Sequence, residues 1–155
     1  PLNGSAGTAA GAVQIWHGGT DAFDTVVDAT LLGIQVSEDF GRSVAALPDV
    51  NGDGRDELVV GAPRGLNSQG QAAGTVKIYF SQSNGAWPSA PTLLLQSDQT
   101  DALFGTSVAT GRFNADATAD VAAGEPGRDI SPGTNNGAWS LYFGQPDGMF
   151  RNGFE

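Results

Sequence analysis

Asp49-Val50-Asn51-Gly52-Asp53-Gly54-Arg55-Asp56-Glu57 places oxygen-bearing side chains at its first, third, fifth and ninth positions, with glycine at the sixth. A hard divalent cation such as Ca²⁺ takes about six to eight oxygens at roughly 2.3–2.6 Å. Alternate residues of a tight loop can turn such oxygens toward one centre. Asp49, Asn51, Asp53 and Glu57 are the side-chain candidates, and Arg55 offers its backbone carbonyl. Gly54 permits the sharp turn. Acidic groups packed this closely repel one another unless a cation lies among them. The alternative is a solvated Asp/Asn/Gly turn that holds nothing. The opening also fits a helix-flanked calcium loop. That loop needs a bidentate glutamate at its twelfth place, and here the twelfth place is Val60. Leu58-Val59-Val60 is apolar and largely β-branched, and Gly61-Ala62-Pro63 ends it. The loop therefore enters a short buried strand and not a helix.

Working outward, the chain repeats itself. Gly11-Ala12-Val13-Gln14-Ile15-Trp16 matches Gly74-Thr75-Val76-Lys77-Ile78-Tyr79, and both match Gly137-Ala138-Trp139-Ser140-Leu141-Tyr142, each 63 residues after the last. Phe40-Gly41-Arg42-Ser43-Val44-Ala45 matches Phe104-Gly105-Thr106-Ser107-Val108-Ala109, 64 residues on. Gly61-Ala62-Pro63 matches Gly124-Glu125-Pro126. A fixed period of this length marks a repeat architecture.

Each unit reads as four short strands. In the complete unit they are Ser43 to Leu47, Glu57 to Gly61, Thr75 to Phe80 and Thr92 to Gln96. Val76, Ile78 and Phe80 alternate with Lys77 and Tyr79, which is strand periodicity. Turn-rich loops such as Arg64 to Gly70 and Ser81 to Gly85 separate the strands. No window of helical length keeps an apolar period near 3.6. Four strands per repeat, stacked face to face, describe a blade of an all-β propeller.

Phe40-Gly41, the loop from Asp49 to Glu57, and Gly61-Ala62-Pro63 together resemble the FG-GAP repeat of integrin α-subunit propellers and of many secreted bacterial proteins. The resemblance covers one complete repeat, a second weaker one and the tail of a third. It implies that the loop joins the first two strands of a blade and binds Ca²⁺ at one end of the propeller. It also implies a secreted or cell-surface, adhesive setting. The organisation expected is an outer half-blade over 1–37, a complete repeat over 38–100, and a degenerate repeat with a C-terminal tail over 101–155. That makes about two and a half blades, an incomplete ring.

The second loop departs from the pattern. Arg112, Asn114, Asp116, Thr118 and Asp120 fall opposite Asp49, Asn51, Asp53, Arg55 and Glu57. Arginine at the first ligand place is unfavourable beside a cation, so this loop is expected to be metal-free. Two readings of Arg112 stay open. In one its guanidinium takes the ion's place and pairs with Asp116 and Asp120; in the other it is an exposed arginine on a loop that has lost its site.

The net charge is −10, from 17 acidic and 7 basic residues. That argues against nucleic acid and anionic membrane surfaces as partners. There is no cysteine, so neither disulfides nor thiol chemistry contribute. No run of 18 apolar residues exists to span a bilayer. The start at Pro1 fits removal of a preceding segment. The ending Phe150-Arg151-Asn152-Gly153-Phe154-Glu155 resembles the ends of secreted bacterial proteins and implies that Glu155 is a natural C-terminus. His17 is the sole histidine, at a place that aromatics hold in the other repeats (Phe80, Phe143). With one His and no Cys there is little to build a nucleophilic site from. Trp16, Tyr79 and Tyr142 recur in register, as do Val13, Val76 and Trp139; such aromatics suit a carbohydrate-stacking surface or, as each blade must bury apolar faces against its neighbours, inter-blade packing, which is the expectation.

A non-catalytic binding or assembly role is therefore expected, with Ca²⁺ as the bound ion. The first version is an adhesion or protein-interaction module. The second is a subunit of an extracellular ring or filament. Its motive is that the chain begins with outer strands (Val13 to His17, Val26 to Ile34) and finishes with inner ones (Ser107 to Thr110, Val121 to Gly124, Trp139 to Phe143), so that copies could complete one another head to tail. The third is a lectin or accessory domain of a secreted hydrolase, with glycans as partners.

Overall fold

The computed structural model describes residues 9–18, 25–130, 136–145 and 150–152. Ten strands and no helix occur among them. In chain order they are β1 (Ala12–Ile15), β2 (Ala29–Leu32), β3 (Ser43–Leu47), β4 (Glu57–Ala62), β5 (Thr75–Tyr79), β6 (Leu93–Gln96), β7 (Val108–Gly111), β8 (Asp120–Glu125), β9 (Ala138–Gly144) and β10 (Phe150–Asn152). They form three antiparallel sheets of two, four and four strands, ordered β1-β2, β3-β4-β5-β6 and β7-β8-β9-β10. Each four-stranded sheet is a meander, and each new sheet begins where the last one ends. These are propeller blades that do not close into a ring.

The two full blades share one register. Gly61 pairs with Ser43 on one side and Val76 on the other. Its repeat partner Gly124 pairs with Trp139 in β9, and its amide donates to the Ser107 carbonyl at 2.9 Å. In the second blade, which lies between the other two sheets, the middle strands β4 and β5 are buried on both faces. Val59, Val76 and Ile78 join Leu47, Phe104 and Val121 in a core between the second and third sheets. Val60, Ala62 and Tyr79 join Leu31 and Phe40 in a core between the first and second. Phe40 and Tyr79 meet edge to face at 6.1 Å, and Phe104 and Tyr142 repeat that contact at 6.0 Å. The repeating tyrosines are thus packing residues. Trp16, at the repeat position of Tyr79, and Trp139, at that of Val76, are exposed.

One expectation is corrected. The third blade does not stop at its inner strands, because β10 adds an outer strand through Phe150↔Gly144, Arg151↔Phe143 and Asn152↔Tyr142. Three residues by themselves carry too little pattern to be read as a strand. Among the described residues, the chain is therefore an outer half-blade followed by two complete blades. The head-to-tail complement of inner and outer halves is not present.

Candidate metal centre

The Asp49 to Glu57 loop connects β3 to β4 at one end of the second blade. Gly52 and Gly54 hold φ of 77° and 83°, the left-handed region, with open space where a Cβ would lie. Positive φ alone therefore calls for glycine there. The side chains knit the loop. Asp49 Oδ1 accepts the Asp53 amide and Oδ2 the Gly54 amide, each at 2.9 Å. Asn51 Oδ1 also accepts the Asp53 amide, and Asp53 Oδ1 accepts the Arg55 amide at 3.0 Å. The loop lies at the surface, but Glu57 at its end is buried.

One carboxylate oxygen each from Asp49, Asp53 and Glu57 lie within 4.8 Å of one another. Asn51 borders them, donating to Asp53 Oδ2 at 3.1 Å. Glu57 Oε2 accepts the Val50 amide at 2.9 Å. Glu57 Oε1 is buried and has no hydrogen-bond partner. Burial, and then the charges of Asp53, Asp49 and Asp56, push the Glu57 carboxyl up from its ordinary range, against the lowering effect of the Val50 bond. A buried anionic oxygen without a donor is strongly unfavourable. A hard cation at the centre of the three carboxylates would satisfy it, so the residues present fit such an ion. The ion would supply positive charge and cross-link the loop to β4. The Arg55 side chain, which sequence reasoning left out, ties to Asp53 Oδ2 at 2.6 Å. It takes part of the Asp53 carboxylate's capacity.

The second loop has Arg112, Asn114, Asp116, Thr118 and Asp120 where expected, but its buried carboxylate is answered by backbone amides. Asp120 is fully buried. It is one methylene shorter than Glu57, and both of its oxygens are used. Oδ2 accepts the Phe113 amide at 2.6 Å and Oδ1 the Gly144 amide at 3.0 Å. Thr118 Oγ1 lies within donating reach of both Asp116 Oδ1, at 2.7 Å, and the Gly144 carbonyl, at 2.9 Å, and donates to the nearer carboxylate. This hydroxyl holds the Asp116 carboxyl below its usual range. Arg112 is exposed, and among the described residues it forms no ion pair with Asp116 or Asp120. Neither pairing that the ion-replacement reading calls for is formed, while the Arg112 charge still helps to lower the Asp116 carboxyl. The end of β9 closes this loop instead. Only the folded chain brings Gly144 there.

Two further clusters escaped the sequence reading. Lys77 Nζ reaches Glu38 Oε2 at 2.6 Å, with both side chains buried, and stands 5.1 Å from the centre of the Phe40 ring. Glu38 Oε1 accepts the Ile34 amide at 2.6 Å. This pair pins the β2–β3 connection onto β5. At the next connection the charge has moved. Ser140 stands at the repeat position of Lys77, and Glu125 at that of Ala62. Buried Glu125 accepts from Ser140 and Ser97 and pairs with Arg128 at 3.0 Å. Burial and Glu125 raise the Tyr142 hydroxyl's pKa. His17 lies at the surface beside Asp28, 3.8 Å away. Trp87 packs against the core between the first two blades.

The FG-GAP repeat family matches residues 40–79. Integrin alpha-3 of Mus musculus is 38% identical over 97 residues, which is 62% of this chain and 9% of that protein. Integrin alpha-IIb of Mus musculus is 35% identical over 124 residues, 77% of this chain and 12% of that protein. Integrin alpha-6 of Homo sapiens is 31% identical over 118 residues, covering 76% of this chain and 10% of that protein. The chain thus spans about a tenth of the length of these relatives.

Proposed function

This chain is an FG-GAP repeat protein of the integrin-α-like kind, and we propose that it serves as a calcium-pinned, non-catalytic β-propeller module for extracellular protein interaction. The buried, donorless Oε1 of Glu57 beside Asp49 and Asp53 carries the calcium half of this reading. Asn51 and the Arg55 carbonyl complete the proposed shell. The ion would lock the β3–β4 loop and so fix the end of the blade. Residues 38–100 would form the calcium-binding repeat, and residues 101–155 a repeat without metal. The interaction half is supported by the blade architecture itself. The sheets stand in an open row, and the similar proteins are integrin α-subunits.

The test is calcium titration by calorimetry and by thermal unfolding. Extracellular calcium modules bind at roughly 10⁻⁴–10⁻³ M. Ten millimolar Ca²⁺ should then stabilise the fold by about 1.4–2.7 kcal/mol. Glu57→Gln should abolish that response while leaving the metal-free protein at least as stable, since it removes an unpaired buried charge. A wild-type melting temperature unmoved by calcium would defeat the proposal.

A further inference from the structure

The hydrogen-bond network around Asp53 is built twice in this chain. In the first loop Asn51 Nδ2 donates to Asp53 Oδ2 at 3.1 Å, the Asp53 amide donates to Asn51 Oδ1 at 2.9 Å, and the Arg55 amide donates to Asp53 Oδ1 at 3.0 Å. In the second, Asn114, Asp116 and Thr118 make the same three bonds at 2.7, 3.1 and 2.9 Å. In both loops the side chain at the seventh place then returns to the carboxylate at the fifth. Thr118 does so with a neutral hydroxyl, 2.7 Å from Asp116 Oδ1. Arg55 does so with a full positive charge, its Nη2 standing 2.6 Å from Asp53 Oδ2.

That charge falls where it competes with an ion. An ionised carboxylate offers about four lone-pair sites. Among the described residues, Glu57 uses one of them, for the Val50 amide, and its buried Oε1 has no hydrogen-bond partner. Asp49 uses two, for the Asp53 and Gly54 amides. Asp53 uses three: the Arg55 amide is on Oδ1, and the Asn51 and Arg55 side chains share Oδ2. Of the three carboxylates whose oxygens come within 4.8 Å, Asp53 is therefore the least free to take a cation. The arginine itself is held loosely. Its side chain is 36% exposed, and its Nε is shielded from water without an acceptor. A shielded N–H without a partner is unfavourable and favours release to solvent.

We propose that the Arg55 side chain is a latch on the cation loop: it neutralises Asp53 when no ion is held, must swing into solvent to release Asp53 to Ca²⁺, and so sets the affinity of the site. The inference rests on the calcium reading above. The Arg55 carbonyl keeps its place in the proposed shell, because only the side chain moves. The way out is open, since Gly52 and Gly54 flank Asp53 and a Cβ on either would meet nothing within 4 Å. Release breaks one exposed ion pair. Such pairs are weak, so the latch lowers affinity by about two- to fivefold and not by orders of magnitude.

The experiment is calcium calorimetry on the wild-type chain and on Arg55→Gln, with Arg64→Gln as the charge control. Arg64 follows the far end of β4, about 20 Å along the strand, where its charge is screened from the loop. Arg55→Gln should bind calcium about two- to fivefold more tightly than wild type, and Arg64→Gln should match wild type. Proton–nitrogen NMR of the arginine side chains reads the release itself. The Arg55 Nε–H signal, identified by its loss in Arg55→Gln, should shift and exchange faster with water as calcium is added to the wild-type chain. Where wild type binds calcium, three results overturn the latch and leave the calcium reading standing: a gain below twofold in Arg55→Gln, an equal gain in Arg64→Gln, or an Arg55 signal that calcium does not move. Binding by Arg55→Gln alone would uphold the latch and overturn the calcium reading of the wild-type chain. Binding by neither would overturn both.

Discussion

Changing Lys77 to Met tests whether the buried ion pair holds the first joint together. Lys77 and Glu38 are both buried and meet at 2.6 Å, and the ammonium also faces the Phe40 ring. Removing the ammonium leaves the Glu38 carboxylate buried. The Ile34 and Gln35 amides still donate to Oε1, but Oε2 loses its cation. Breaking one side of a buried pair costs about 3–5 kcal/mol. The two surviving amide bonds place the value near the lower end, about 3 kcal/mol. For a chain of this size that corresponds to a melting temperature about 6–12 °C lower. The double variant Glu38→Gln with Lys77→Met removes both charges and should recover most of the loss. A double-mutant cycle in urea should then give a coupling of about 2 kcal/mol or more. Little screening by salt is expected, because the pair is out of solvent. A coupling below about 0.5 kcal/mol would show that Lys77 acts through its methylenes and the reasoning from charge is wrong.

Three further outcomes follow from named contacts. Asp120→Ala should destabilise by about 2–4 kcal/mol, since the Phe113 and Gly144 amides lose a buried acceptor, and the loss should be the same with and without calcium in chemical unfolding. Gly105→Ala should be far more harmful than Gly85→Ala by thermal melting, although both have positive φ, because a Cβ on Gly105 meets the Thr75 oxygen at 2.7 Å and one on Gly85 meets nothing. Thr110→Val removes the hydroxyl that donates to the Ala46 carbonyl across the second and third blades, and should cost about 1 kcal/mol in urea titration with little change in secondary structure by circular dichroism.

The sequence by itself determined the repeat, the strand class and the identity of the loop residues. These are legible because they depend on local order. A period of 63 residues, the alternation from Thr75 to Tyr79 and the ligand spacing from Asp49 to Glu57 are properties of neighbours along the chain. Tertiary structure decided what depends on remote partners. Asp120 and Glu57 look like the same ligand position, yet one is satisfied by Gly144, 24 residues away, and the other retains an oxygen without a donor. Arg112 had charge partners within reach along the chain, but in the fold its side chain turns to solvent. Lys77 read only as part of the face opposite Val76 and Ile78 in an alternating strand. It proved buried, because the corner leading into its own blade brings Glu38 to it across 39 residues. The short β10 was invisible for the same reason: three residues become a strand only when β9 offers an edge. Local pattern fixes which elements form, whereas burial and pairing fix which of their polar groups are answered, and the latter are set by distances that only the folded chain possesses.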